Sequence, residues 1–292
     1  MRKRSFSSFL LCLVFLAATE LPAEYLPEYQ EYPCYQDYVD GQEYAYEYPC
    51  IKKHTHFKGH ILTIAPEIYH LKRTRQGGTK QNGTIVGLRA SYDHIKRYKI
   101  YWGIQAFYGT GIVRGHTGTK SKIRSRWTDE QIEGNLGYTF QYKFFPNYSF
   151  TPFGGYGYFK ETNNFNPPSP LPLTYVTHFP YISYGFLSKF MLNSNFSIGA
   201  NLRIKTLWDT RSIVKNDPDF DGKRKLLVGD SWQYRIEVPI VYCQKFLCNS
   251  IEFGAMPFYE KRCFGGRENY PFDFFKTTLK LIGIDLQIIY IF

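Results

Sequence analysis

Residues 98–109 read YKIYWGIQAFYG. Ile100, Trp102, Ile104 and Ala106 alternate with Lys99, Tyr101, Gly103 and Gln105, so one face of the stretch is apolar and the other mostly polar. A period of two belongs to a half-buried strand, and aromatic and β-branched residues favour that conformation. The pattern repeats outward from here. In TIVGLRASYD (84–93), Val86, Leu88, Ala90 and Tyr92 oppose Gly87, Arg89, Ser91 and Asp93. FSIGANLRIK (196–205) and WQYRIEVPIVY (232–242) alternate in the same way. Read along the chain, the alternation predicts ten strands: 58–73, 84–93, 98–110, 129–142, 148–160, 176–191, 196–208, 230–242, 250–261 and 276–292.

Most of these exceed the usual five or six residues and suit a tilted membrane strand of about 9–11. The connections alternate in length. Those after even strands are short (94–97, 143–147, 192–195 and 243–249), whereas those after odd strands run from 74–83 up to 209–229. Short turns at one end and long loops at the other are expected of an antiparallel transmembrane β-barrel, on its periplasmic and extracellular sides respectively. An all-β, ten-stranded antiparallel transmembrane barrel over residues 57–292 is therefore the predicted fold.

The chain ends in LIGIDLQIIYIF (281–292), with Ile282, Ile284, Leu286, Ile288, Tyr290 and Phe292 on one face. In that segment, in its strand architecture and in phrases such as TPFGGYGYF (151–159), the chain resembles the outer-membrane β-barrel proteins of Gram-negative bacteria, including small OmpA-like and porin-like barrels. The resemblance implies that the terminal aromatic, Phe292, is the signal read by the barrel-insertion machinery, and that the barrel sits in outer-membrane lipid beside lipopolysaccharide.

The other face of each strand then lines the lumen. It carries Glu67, Arg89, Glu133, Arg203, Arg235, Glu237, Glu252 and Asp285, together with glycines that let a narrow barrel coil. Charges enclosed together must pair, because burying them singly is expensive. A lumen plugged by an Arg–carboxylate network is expected, with a narrow charge-lined channel as the alternative. Tyr108, Tyr158, Trp208 and Trp232 should mark the long-loop ends of their strands. Tyr98, Tyr142, Phe190, Phe196, Tyr242 and Phe292 should mark the other ends, as two interfacial aromatic bands.

Charge is divided along the chain. Residues 1–23 have a basic start (Arg2, Lys3, Arg4) and an apolar run from Phe6 to Ala18, the layout of a secretory signal peptide. The tail that follows, EYLPEYQEYPCYQDYVDGQEYAYEYPC (24–50), has eight tyrosines, seven acidic residues and no Lys or Arg. With a linker to residue 56 it is predicted to be a disordered periplasmic segment, able either to enter and neutralise a basic barrel or to cross-link. The chain has 36 basic and 25 acidic residues; the leader holds three and one of these, so 33 basic and 17 acidic residues remain over 51–292. Cys34, Cys50, Cys243 and Cys248 fall on the predicted periplasmic side and are candidates for disulfides, within the chain or with other envelope proteins. Cys263 falls on the opposite side.

VRGHTGTKSKIRSRW (113–127) places Lys120, Lys122, Arg124 and Arg126 at every second position, in phase with the outward Ile132 and Leu136. The row should project outward above the membrane and contact lipopolysaccharide phosphate or an acidic polysaccharide by charge-assisted hydrogen bonds. Nucleic acid is excluded by export and by the lack of a recognition motif.

No enzyme, metal or cofactor is expected. Some ten-strand barrels, the omptins, are proteases with an Asp–His dyad at the outer rim. Here the adjacent pair Asp93–His94 falls at a short turn instead, far from His116, His178, Asp209, Asp217, Asp219, Asp221 and Asp230. An omptin-like protease is the remotest reading. A structural or surface-interaction barrel is the first, and a narrow channel the second.

Overall fold

Antiparallel ladders join each strand to the next, and the last strand pairs with the first, from Ile61 opposite Ile291 to Arg75 opposite Thr277. The sheet is thus closed and has no free membrane-facing edge, which a backbone in lipid requires. The computed structural model describes residues 59–292 apart from 142–144, 146, 194, 219–221, 230, 244–250 and 270–272. The predicted leader and tail, Cys34, Cys50, Cys248, Tyr142, Asp219, Asp221 and Asp230 lie outside the described residues.

The segments are β1 (His60–Arg75), β2 (Lys80–His94), β3 (Ile100–His116), β4 (Lys122–Tyr138), β5 (Phe140–Gln141), β6 (Tyr148–Asn166), β7 (Thr174–Met191) and β8 (Phe196–Ile198). They continue with β9 (Asn201–Leu207), β10 (Arg211–Lys215), β11 (Arg224–Leu227), β12 (Ser231–Glu237), β13 (Ile240–Cys243), β14 (Ile251–Phe264) and β15 (Thr277–Ile291). Three pairs are single wall strands briefly interrupted. β4 and β5 keep one register against β6, β8 and β9 keep one against β7, and β12 and β13 keep one against β14. Counted so, ten strands form the wall, and no helix occurs among the described residues.

The long loops expected at one end are mostly strand. β1 and β2 are joined by 76–79, β3 and β4 by 117–121, and β6 and β7 by 167–173, while 209–229 contains the hairpin of β10 and β11. At 19 residues, β6 is roughly twice what a tilted bilayer crossing takes. The asymmetry read as loop length is therefore one of barrel height. The wall continues past the membrane at the end away from the start of β1 and the end of β15, here called the distal end. Outward residues turn polar there, so the apolar alternation fades from the sequence. The inward face still alternates, with Val113, Ile123 and Trp127 buried.

Between Leu207, opposite Tyr181, and Arg211, opposite His178, four steps along one strand face three along β7. The extra residue is a bulge, and Asp209 within it has φ +45°. The bulge exchanges the faces: Arg203, Lys205 and Leu207 are buried below it, Ser212 and Val214 above it.

Outside, an apolar belt covers the wall, including Ile64, Ile68, Val86, Leu88, Ile104, Ile132, Ile182, Leu286 and Ile288. Rings cluster at the terminal end, where Phe196 meets Tyr242 at 4.8 Å and Phe292 stacks on His60 at 5.6 Å. On the distal side Tyr156 meets Trp208 at 5.5 Å and Trp232 stacks on Tyr234 at 5.7 Å. Tyr108 and Tyr158 were expected at strand ends. They lie in mid-strand, because β3 continues to His116 and β6 to Asn166.

Inside, the distal half is filled by an apolar core containing Trp127, Phe159, Phe179, Phe264 and Phe274, to which the β10–β11 hairpin adds Val214 and Leu226. Two glycines make room for inward rings. A Cβ on Gly157 would lie 2.4 Å from the Tyr181 ring, and one on Gly87 would lie 2.6 Å from the Phe107 ring. Each ring thus lies against bare backbone of the neighbouring strand, and each supports an ion of the lumen.

Candidate functional site

Below the apolar core, the inward side chains of β1, β2, β12, β14 and β15 meet at Arg235. Its guanidinium is 2.6 Å from Glu237, 3.1 Å from Asp285, and 3.4 Å from both Glu67 and Glu260. It also lies over the Phe258 ring at 3.6 Å. Arg89 completes this group, 2.7 Å from Glu67 and stacked over Phe107 at 4.8 Å. Glu133 and Arg203 form a second group. They are 3.1 Å apart, the Tyr181 hydroxyl donates to Glu133 at 2.8 Å, and Arg203 lies over Phe153. Of the eight lumen residues singled out in the sequence, five thus point inward around one centre and two beside it. Glu252 is also buried, 3.7 Å from Lys189.

A third group was missed. Arg262 is 2.7 Å from Glu260 and 3.0 Å from Asp129. Asp129 also accepts from the Tyr69 hydroxyl at 2.6 Å and the Trp127 indole at 2.9 Å. Glu260 therefore ties Arg235 to Arg262 and links the middle of the lumen to its distal core. Inward parity was the available signal: Glu260 and Arg262 continue the phase of Met256 and Phe258.

Among the described residues, eight carboxylates (Glu67, Asp129, Glu133, Glu161, Glu237, Glu252, Glu260, Asp285) and six cations (Arg73, Arg89, Arg203, Lys205, Arg235, Arg262) are buried. The lumen is not basic. An acidic tail would find no net positive charge to neutralise there. A cavity of about 150 Å³ opens on the terminal side, lined by Ser91, Asp93, Gln105, Asn135, Asn201 and Gln287 among others, and one of about 470 Å³ lies at the Asp209 bulge, lined by Trp208, Thr210 and Arg267 among others.

The cationic excess is outside. Lys122, Arg124 and Arg126 point outward from β4, and Lys120 sits in the β3–β4 turn with φ +65°. The strand pairings extend this row around the barrel: Arg124 faces Arg114, Arg114 faces Asn82, Asn82 faces Lys72, Lys72 faces Lys280, and Lys280 faces Lys261. The collar begins where the apolar belt stops, since Lys280 follows Ile282 and Ile284, and Arg114 follows Ile112, on their outward faces. Directly opposed side chains have Cβ atoms ~5 Å apart, and like charges so placed repel. Among the described residues no carboxylate pairs with any of these five cations; Lys261 lies over the Trp232 ring at 5.3 Å.

Among the described residues, those considered for catalysis do not converge. Asp93 points inward and accepts from Tyr101 at 2.8 Å, whereas its neighbour His94 points outward against Trp102. Asp209 pairs with Arg211, and His178 hydrogen-bonds Tyr158 on the outer wall. Cys243 is buried on the inward face, and Cys263 is half-buried at the other end of the wall.

A closed antiparallel barrel of even strand number, apolar outside and ionic inside, defines the outer-membrane β-barrel class, and this chain is one. No family model and no curated protein matches the chain. Among solved structures, the transport unit of the autotransporter AIDA-I from Escherichia coli is similar at 10% identity and a TM-score of 0.41, over 81% of this chain and 92% of that one. The translocator domain of the autotransporter NalP from Neisseria meningitidis is similar at 9% identity and a TM-score of 0.38, over 80% and 89%. Ail, the attachment invasion locus protein of Yersinia pestis, is similar at 9% identity and a TM-score of 0.28, over 79% and 99%.

Proposed function

We propose that the protein is a closed, non-enzymatic barrel whose outward cationic collar holds the phosphate groups of lipopolysaccharide, so that it serves as a structural and surface-interaction element of the outer membrane. The observation that carries this reading is the row Arg124, Arg114, Lys72, Lys280 and Lys261, in like-charged pairs across adjacent strands at the upper margin of the apolar belt. Oxyanions seated between these side chains would convert repulsion into charge-assisted hydrogen bonds. Lys120, Lys122 and Arg126 extend the same surface towards the β3–β4 turn.

Exchanging Lys72, Arg114, Arg124, Lys261 and Lys280 for glutamine should weaken retention on lipopolysaccharide-containing vesicles by at least about tenfold at low salt, with less contrast at high salt. Dephosphorylated lipid A should bind wild type and variant alike. Equal retention of both proteins on the phosphorylated lipid would sink the phosphate reading, and binding that persists only to an acidic polysaccharide would redirect it.

The filled lumen supports a closed state over a narrow channel. Reconstituted in a planar bilayer, the barrel is expected to give no reproducible unitary conductance; steady openings would favour the channel. The exposure of Phe292 at the terminal rim supports the insertion-signal role that the resemblance implies. A tethering role for Cys34, Cys50, Cys243 and Cys248 would appear as altered mobility on non-reducing gels.

A further inference from the structure

At the terminal rim the first residue of β1 stands opposite the last residue of β2: His60 pairs with His94. The two Nδ1 atoms are 3.4 Å apart and the ring centroids 4.6 Å apart. The Tyr92 hydroxyl lies 2.5 Å from the same His60 Nδ1. One imidazole nitrogen offers either one hydrogen or one lone pair, so His60 Nδ1 cannot donate to one of these neighbours while accepting from the other. Three polar atoms converge where protein hydrogen bonding serves at most two of them well.

A metal ion resolves this. Two imidazole nitrogens bound tetrahedrally at 2.0–2.1 Å from zinc stand about 3.3–3.4 Å apart, which is the separation found here. The rings are already held. His60 stacks on Phe292 at 5.6 Å and His94 on Trp102 at 5.7 Å, so little side-chain entropy remains to be lost on binding.

We propose that His60 and His94 form a cross-strand site for a borderline divalent ion of the zinc, nickel or copper type, with the Tyr92 hydroxyl beside it and water completing the shell. Among the described residues no group of three or more His, Cys, Asp or Glu side chains converges, so this is a two-histidine site of modest affinity. Its position gives it a consequence. His60 and Phe292 exchange backbone hydrogen bonds at 2.9 Å across the closing ladder. A metal bound there clamps β1 to β2 beside the junction that closes the barrel.

Isothermal titration of the untagged full mature chain with zinc sulfate, in micelles, tests this against H60Q, H94Q and the upstream control H54Q/H56Q. One zinc per barrel is expected for wild type and control, at least about tenfold weaker binding for H60Q and H94Q, and a zinc-dependent rise in unfolding temperature that H94Q lacks. Heat-modified gel mobility reports whether each variant has folded. If either single variant does not fold, the copper-loaded wild type decides by electron paramagnetic resonance, with splitting from two ring nitrogens expected. Unaltered zinc binding in H94Q, loss confined to H54Q/H56Q, no binding up to millimolar zinc, or a copper signal without two nitrogens would each overturn the site.

Discussion

Replacing Arg235 by leucine is expected to cost at least about 3–5 kcal/mol, enough to leave much of the protein unfolded or misinserted. The side chain is only 3% exposed, and it is the sole cation shared by Glu67, Glu237, Glu260 and Asp285. Its loss leaves Glu237 in a closed interior with only the neutral Asn201 amide at 3.3 Å, and Asp285 with the more distant Arg89 at 3.8 Å. Arg235→Lys should fall between, since one ammonium keeps the charge but cannot fork to several carboxylates while stacked on the Phe258 ring. Urea titration in lipid vesicles, read by tryptophan fluorescence, gives the comparison. A wild-type midpoint for the leucine variant would mean that water, rather than the guanidinium, compensates these acids.

The second large effect concerns the outer face. Arginine at Leu286, in the middle of the outward row of β15, should cost about 2–4 kcal/mol in a bilayer. Arginine at Asn82, already among the cations of the collar, should be close to neutral or weaken the fold slightly through repulsion. Both substitutions are outward, so a difference between them measures lipid contact rather than packing. Equal costs in vesicles would show that the belt assigned to lipid is not one.

Period two settled which residues face in and which face out, because the lipid-facing side uses a different alphabet from the lumen: Val86 and Leu88 against Arg89, Ile284 and Leu286 against Asp285. Where the wall rises beyond the membrane that contrast vanishes. Lys122, Arg124 and Arg126 are as polar as a loop, and only the buried Ile123 and Trp127 on the opposite face betray a strand. The bulge near Asp209 hid β10 and β11 in a different way, by reversing the parity on which the reading depended. Ion partners were less legible still. Glu67 and Arg235 are 168 residues apart, and their meeting depends on the curvature and stagger of the whole wall. The His60–His94 contact was invisible because alternation put His60 inside the first strand and His94 in the short turn after the second, without fixing a register between them.

Every wall ladder but one joins strands that follow one another along the chain, and so can form as a hairpin meander grows. The exception brings residue 61 to residue 291 and cannot begin until nearly the whole chain is present. Closing so long a loop is the slow step in ring formation, whereas the local hairpins pay little entropy. Until it occurs, β1 and β15 are both open edges, able to pair with another copy. The interval between pairing of the first hairpins and closure of β1 on β15 is therefore that of greatest aggregation risk, and loss of β15 alone would make that interval permanent.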